Sequence, residues 1–146
     1  QTVRDVEAYL QMARPHLLFI HLGDPDHTGH ADGWMSPKYE ATVKRVDASV
    51  AMLLAVVEKS FGADNFTAIV TADHGGHDRD HGSSDPQDVT IPWIAWGRGV
   101  NTAQLTRPVA TFDTASTVLW LLGIPKPDAW AGEAVSEAFE TPSSRP

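Results

Sequence analysis

The chain has 146 residues, of which 42% are hydrophobic and 21% are charged, and this is long enough for one domain with a real core. Its net charge of -8 and the lack of any basic run argue against a nucleic-acid partner, and no apolar segment approaches the ~20 residues that a membrane span needs. The absence of Cys excludes disulfides, thiolate nucleophiles and Cys-type zinc sites, and it leaves the compartment open.

Hydrophobic periodicity predicts four helices and three strands. The helices cover 3–13, 37–59, 113–122 and 131–139, and the strands cover 17–22, 66–71 and 91–96. The longest helix follows Ser36 as its N-cap and has Pro37 as its first residue, with apolar residues at steps of three and four. The segment 17–22, LLFIHL, is nearly all apolar, as expected for a strand that is buried on both faces.

Strands that alternate with helices predict an α/β fold, a mostly parallel sheet flanked by helices. We expect a single domain over 1–146 with a frayed tail at 140–146. Two polar loops, 23–36 and 72–90, each begin at the carboxyl end of an apolar strand. Because ligands bind beyond the carboxyl ends of the strands in such sheets, we expect both loops to lie at one edge.

The two loops are rich in Asp and His. They contain Asp24, Asp26, His27, His30 and Asp32, and then Asp73, His74, His77, Asp78, Asp80 and His81. Carboxylate and imidazole ligands without thiolates suit zinc, manganese or iron. Two separate sets on one edge indicate a two-metal site that clamps the attacking and leaving oxygens of a substrate.

Three stretches carry a resemblance. PDHTGHADG at 25–33 matches the Pro-Asp-x-x-Gly-His-x-x-Gly signature, TADHGG at 71–76 contains an Asp-His-Gly motif, and 112–139 is an Asp-led helix followed by Leu-Gly, Pro and a late Gly. In this order they resemble the type I phosphodiesterase/nucleotide pyrophosphatase family of the alkaline phosphatase superfamily, in its C-terminal half only. The fold that this implies is part of an alkaline phosphatase-like sheet.

The resemblance implies two divalent metal ions, with zinc favoured over manganese. One ion would be held by Asp26, His30 and a later His, for which His81 is favoured and His77 is the alternative. The other ion would take Asp73 and His74. The remaining Asp and His of the two loops would orient these ligands or lie in solvent.

The resemblance also implies a Thr or Ser nucleophile and one further Asp ligand, both upstream of the first motif. The fifteen residues before His16 offer neither, because Thr2 and Asp5 lie in a helical pattern. We therefore expect no catalytic nucleophile in this chain and no activity of the chain alone. The missing half would leave an apolar edge, covered by oligomerisation or by association with that half.

The function expected of the parent protein is metal-dependent hydrolysis of a small phosphate ester, more a diester or nucleotide pyrophosphate than a monoester. A phosphomutase or a sulfatase is the alternative within the superfamily. From a different class, a non-catalytic metal-binding or scaffold module remains an alternative. Its expected signature is a stable monomer.

Overall fold

The computed structural model describes residues 1–102 and 104–140 and forms two units. The first unit comprises Gln1–Phe66 with Thr71–Pro92, and the second comprises Thr67–Val70 with Trp93–Pro146. The single domain over 1–146 therefore stays a prediction. Of the tail expected to fray, only Glu140 is described, and its N–H donates to Gly99 O at 2.8 Å, whereas 141–146 lie outside the described residues.

Most helices begin and end close to their predicted bounds. The elements in chain order are α1 Thr2–Met12, α2 Asp24–Asp32, α3 Pro37–Phe61, β1 Thr67–Thr71, α4 Pro86–Val89, β2 Trp93–Gly97 and α5 Asp113–Leu122. Ser36 caps α3 as predicted, since its Oγ accepts the N–H of Tyr39 at 3.2 Å. The helix predicted over 131–139 is wrong in extent, because only a 3₁₀ turn at Ser136–Ala138 forms there.

The first unit is built on α1 packed against α3. Val6 and Leu10 are one helical turn apart on α1, so both point to the same side and pack with Leu53 of α3. All three side chains are buried, and such burial contributes about 1.5–3 kcal/mol each. The helix α2 also packs against α3, which fixes the first polar loop to this core.

The segment 17–22 was predicted to be a strand buried on both faces, and this prediction is wrong for the described residues. No strand is assigned there, because an extended segment needs a hydrogen-bonded neighbour to form a ladder. One face, consisting of Leu18, Ile20 and Leu22, packs on the core of the first unit. The other face is open, with Phe19 85% exposed.

The second unit contains the sheet, which has two strands, β1 and β2. Thr67, at the start of β1, donates its hydroxyl to Arg98 O just after β2 at 2.9 Å, so the strands are antiparallel. The expected mostly parallel sheet is therefore wrong for the described residues, although the fold is mixed α/β. The connection, residues 72–92, is long enough for a parallel crossover as well, so its length does not decide the direction of pairing.

A buried carboxylate ties the end of the second unit together. Asp113 accepts the N–H groups of Glu133 at 2.8 Å and Ala110 at 3.0 Å, and the guanidinium of Arg107 at 3.1 Å. Burial alone would raise the pKa of Asp113, but these donors outweigh it and lower the pKa.

Within the described part of the chain, no helix has the length and apolar character that crossing a membrane requires.

Candidate metal centre

The first predicted ligands lie on α2, in a stretch for which a loop was expected. Pro25 occupies the first turn, where its missing N–H is harmless, and Asp24 and Asp26 complement the positive end of the helix. The spacing Asp26-x-x-x-His30 then places both side chains one turn apart on the same face. Helix formation thus converts a sequence motif into a pair of neighbouring ligands.

The second loop follows β1 and folds back on itself. His77 and Asp80 form an isolated antiparallel bridge, in which each backbone N–H donates to the other residue's carbonyl oxygen. The turn between them contains Asp78 at a φ of +48°, a left-handed conformation that Asp tolerates better than most residues. This tight turn brings His81 back beside His74, and their rings stack at 3.6 Å between centroids.

Three imidazoles converge on one carboxylate oxygen. The Nε2 atoms of His30, His81 and His74 lie 3.4, 3.6 and 3.8 Å from Asp26 Oδ1. Among residues 1–102 and 104–140, the one group of three or more candidate ligands whose donor atoms all lie within 4.8 Å of one another is Asp26, His30 and His81. Side chains of α2 and of the second loop thus lie close together, and their role as metal ligands stays a prediction.

Hydrogen bonds determine which ring nitrogens face inward with a lone pair. His30 Nδ1 contacts Arg79 O at 2.9 Å, and His74 Nδ1 contacts Gly75 O at 2.7 Å. A carbonyl oxygen only accepts, so Nδ1 carries the proton and Nε2 of the neutral ring presents a lone pair. Both Nε2 atoms face Asp26 Oδ1, which is buried without a hydrogen-bond partner.

This geometry fits a divalent cation. Acceptors that face one another across 3.4–3.8 Å repel, and a buried carboxylate oxygen without a donor is unfavourable. A cation between them would satisfy the oxygen and the nitrogens together. One carboxylate and two or three neutral imidazoles form a donor set that zinc takes readily.

Asp73 is placed at the margin of this group. Its side chain is 78% exposed, and its Oδ1 lies 3.8 Å from His74 Nε2. The distance from His74 Nε2 to Asp26 Oδ1 is also 3.8 Å. His74 therefore stands between the two carboxylates. Asp73 and His74 alone offer two ligands, which is few for a tightly held ion.

His77, the alternative to His81, has its Nδ1 engaged elsewhere. That atom contacts Asp88 Oδ1 at 2.7 Å, and Asp88 also accepts the N–H and the hydroxyl of Ser83 at 2.9 and 2.7 Å. The hydrogen bond to Asp88 raises the pKa of His77, against a smaller opposing effect of desolvation. The bonds from His77 and Ser83 hold the pKa of Asp88 at about 2.

Sequence reasoning missed Asp88, although it anchors the loop that carries three predicted ligands. The carboxylate is buried beneath the loop, and α4 also bonds to the loop through its backbone, since Gly75 N–H donates to Asp88 O at 2.7 Å. The only sequence signal is an acidic residue near a Pro-led turn. Acidic residues are usually exposed, so this signal alone does not indicate burial.

The other Asp and His residues of the loops take varied places. Asp32 pairs with Lys38, Asp80 Oδ1 accepts the N–H of His81 at 2.9 Å, and Asp24 and His27 are exposed. Tyr39, on the first turn of α3, faces the same region. Burial raises the pKa of the Tyr39 hydroxyl, and the nearby Asp26 carboxylate raises it further.

The comparison with known protein families matches the part of the chain that contains the candidate metal centre. A sequence model of the type I phosphodiesterase/nucleotide pyrophosphatase family matches residues 1–92, which include the whole first unit and every predicted ligand. The resemblance of 112–139 lies beyond this match and stays a prediction.

Curated relatives include GPI ethanolamine phosphate transferase 1 of three organisms. The identities are 36% over 90 residues in Gibberella zeae, 33% over 90 in Mus musculus and 35% over 99 in Yarrowia lipolytica. The aligned residues cover 61%, 60% and 66% of this chain but 9%, 10% and 10% of these relatives. The chain therefore spans about a tenth of the length of the relatives that it matches.

Proposed function

Because the chain belongs to the type I phosphodiesterase/nucleotide pyrophosphatase family, we propose that it supplies the metal-binding part of an enzyme that cleaves phosphoric esters. The observation that carries this proposal is Asp26 Oδ1, buried without a donor and surrounded by imidazole nitrogens. A purely structural carboxylate would be expected to accept hydrogen bonds, as Asp88 and Asp113 do.

In this proposal, Asp26, His30 and His81 hold one divalent ion, and Asp73 and His74 contribute to a second. Zinc is favoured over manganese because the donors are mainly imidazoles. A divalent ion bound there supplies Lewis-acid polarisation of the substrate's phosphoryl oxygens. The carbonyl oxygens of Arg79 and Gly75 accept from Nδ1 of His30 and His74, which orients the two rings with Nε2 toward the ion.

No residue of this chain is assigned as the catalytic nucleophile. Thr28 lies between the two ligands of α2, but its hydroxyl already donates to Asp24 O at 2.9 Å, on the helix itself. We therefore propose that the 146-residue chain binds metal without turning over substrate.

The acceptor of the phosphoryl group separates two forms of this function. The sequence motifs suggest hydrolysis, in which water is the acceptor. The relatives are named ethanolamine phosphate transferases, which favours transfer to an acceptor other than water. In both forms we propose a phosphodiester substrate, since the family is named after a phosphodiesterase and a nucleotide pyrophosphatase.

Metal content of the purified chain tests the metal-binding part of the proposal. Elemental analysis after zinc loading and gel filtration is expected to show bound zinc in the wild type and its loss in His30→Gln. His27→Gln is the matched control, because His27 lies on the same helix with its side chain exposed. Equal zinc content in all three proteins, or none in the wild type, would contradict the proposed site.

Activity is measured on bis-p-nitrophenyl phosphate, with and without a primary alcohol. The expected result is no release of p-nitrophenol by the chain alone. Turnover that Asp73→Asn abolishes would show that an activated water or a nucleophile lies within these residues. A mixed diester product in the presence of the alcohol would indicate transfer, and a monoester alone would indicate hydrolysis.

A further inference from the structure

The indole of Trp34 lies between two glycines that come from the two ligand-bearing segments. A Cβ added at Gly29 of α2 would lie 2.6 Å from Trp34 Cε2, and one added at Gly76 of the second loop would lie 2.2 Å from the same atom. Both distances are far below van der Waals contact. Neither glycine has a positive φ, so the backbone itself does not require glycine at these positions.

The same indole contacts the rings of two predicted ligands. Its centroid lies 5.0 Å from that of His30, edge-on at 86°, and 5.8 Å from that of His81 at 69°. Edge-to-face contacts of this kind hold rings in a defined orientation. Trp34 thus touches one imidazole from each segment.

Backbone contacts secure the indole in this place. The N–H of Trp34 donates to Asp78 O at 2.8 Å, in the turn that precedes His81. Because His30 Nδ1 contacts the next carbonyl, Arg79 O, hydrogen bonds join the end of α2 and the second loop at two neighbouring points. All of these contacts lie within the first unit.

We propose that Trp34 is a positioning residue that sets the spacing between α2 and the second loop, and thereby holds His30 and His81 at metal-binding distance. This inference rests on the proposed metal site. Gly29 and Gly76 have no side chain because the indole occupies that space. A smaller side chain at position 34 lets the two segments shift, and the Nε2 atoms of His30 and His81 then no longer both lie beside Asp26 Oδ1.

Metal affinity tests the positioning role directly. Trp34→Phe is expected to weaken Co²⁺ binding by about 10- to 100-fold, the range seen when groups that orient ligands are changed. The visible spectrum of the Co²⁺ form should also change, since it reports coordination geometry. Trp120→Phe is the control, because Trp120 is a half-buried indole in the second unit and its loss should leave affinity and spectrum unchanged.

Fluorescence adds an independent readout. Trp34 is the one Trp of the first unit, whereas Trp93, Trp96, Trp120 and Trp130 belong to the second. Quenching by Co²⁺ is therefore expected in the wild type and should fall in Trp34→Phe. Wild-type affinity and spectrum in Trp34→Phe would overturn the positioning role, even while loss of binding in His30→Gln upheld the metal site.

A double-mutant cycle without metal tests the packing and is independent of the proposed function. Gly29→Ala should lower the Tm of the wild type, because the new methyl group meets the indole. In a Trp34→Ala background the same change should raise the Tm, since alanine is the better helix former and the space is free. If Trp34→Ala does not fold, Trp34→Phe serves as the background, with a reduced loss of Tm expected.

The outcomes separate the two proposals. Additive effects in the cycle would overturn the positioning role, whatever the metal data show. A second outcome is that the effect of Gly29→Ala on the Tm reverses its sign between the two backgrounds while the wild type binds no metal. That result would show that Trp34 sets the spacing. It would also show that the proposed metal site, and with it the role of Trp34 toward the ligands, is wrong. Non-additivity together with weakened Co²⁺ binding is the expected result.

Discussion

Replacing Asp26 by asparagine is expected to stabilise the metal-free protein while abolishing its zinc binding. Asp26 Oδ1 is buried with no donor, and it faces the Nε2 lone pairs of His30 and His74. The amide introduced by Asp26→Asn supplies N–H donors at that position and removes a negative charge. The substitution thus gives the buried position a donor and removes the repulsion between acceptors, as a bound cation would do in the wild type.

The magnitude follows from the unsatisfied oxygen. A buried polar group without a partner destabilises the folded state by about 1–3 kcal/mol. Because the whole side chain of Asp26 is 39% exposed, the lower end applies, so we expect a gain of about 1 kcal/mol in the free energy of unfolding. For a chain of this size, that corresponds to a rise in Tm of about 3 °C.

Urea and thermal unfolding, with EDTA or with zinc, measure this effect. The experiment is done at one fixed pH, near 8, for both proteins and both metal conditions. Zinc at about 100 times its Kd should stabilise the wild type by about 2.7 kcal/mol and the variant by almost nothing. The order of stability of the two proteins should therefore invert when zinc replaces EDTA.

Asp24→Asn is the matched control, since Asp24 is exposed on the first turn of the same helix. Its stability should change by at most about 0.5 kcal/mol, and equally with EDTA and with zinc. A metal-free Asp26→Asn protein that is less stable than the wild type would refute the reasoning, because it would show that the carboxylate is already satisfied.

Three further predictions concern the surroundings of the site and the second unit. Since hydrogen bonding to Asp88 raises the pKa of His77, this pair stabilises the fold at low pH, and the stabilisation is lost as the pH rises through the raised pKa. Asp88→Asn should lower the pKa of His77 that NMR titration measures. Thr117→Val should destabilise the protein by about 1–3 kcal/mol in urea, because the buried Val135 N–H loses its acceptor. Thr117→Ser keeps the acceptor and should cost only the buried methyl group, about 0.8 kcal/mol. Gly75→Ala should lower the Tm strongly, since the new Cβ would lie 2.0 Å from a backbone oxygen of α4 that cannot rotate away.

The sequence is informative where structure depends on near neighbours. The apolar period of α3 and its Ser36 cap depend on residues a few positions apart, and the structure has both. The strands at Thr67–Thr71 and Trp93–Gly97 likewise lie where apolar runs indicate them. What the local pattern does not contain is which strand pairs with which.

Pairing and burial in the segment 17–22 show this limit. The apolar run LLFIHL has the composition of a doubly buried strand, yet one face packs on α1 and α3 and the other is open. Whether an apolar run becomes a strand depends on a hydrogen-bonded neighbour, which is a remote segment. The sequence did not predict α2 for the same reason. This helix has no apolar face of its own and forms against a remote segment, α3.

For the candidate site, the sequence by itself determined the ligand types and the two segments that carry them, because carboxylate and imidazole chemistry is a property of single residues. Only the tertiary structure decided how each side chain is directed. His77 contacts the buried Asp88, whereas His81 and His74 turn toward Asp26. The orientation of a loop side chain depends on partners far away in sequence, such as Asp88 and the indole of Trp34, and so it emerges only when the chain has folded.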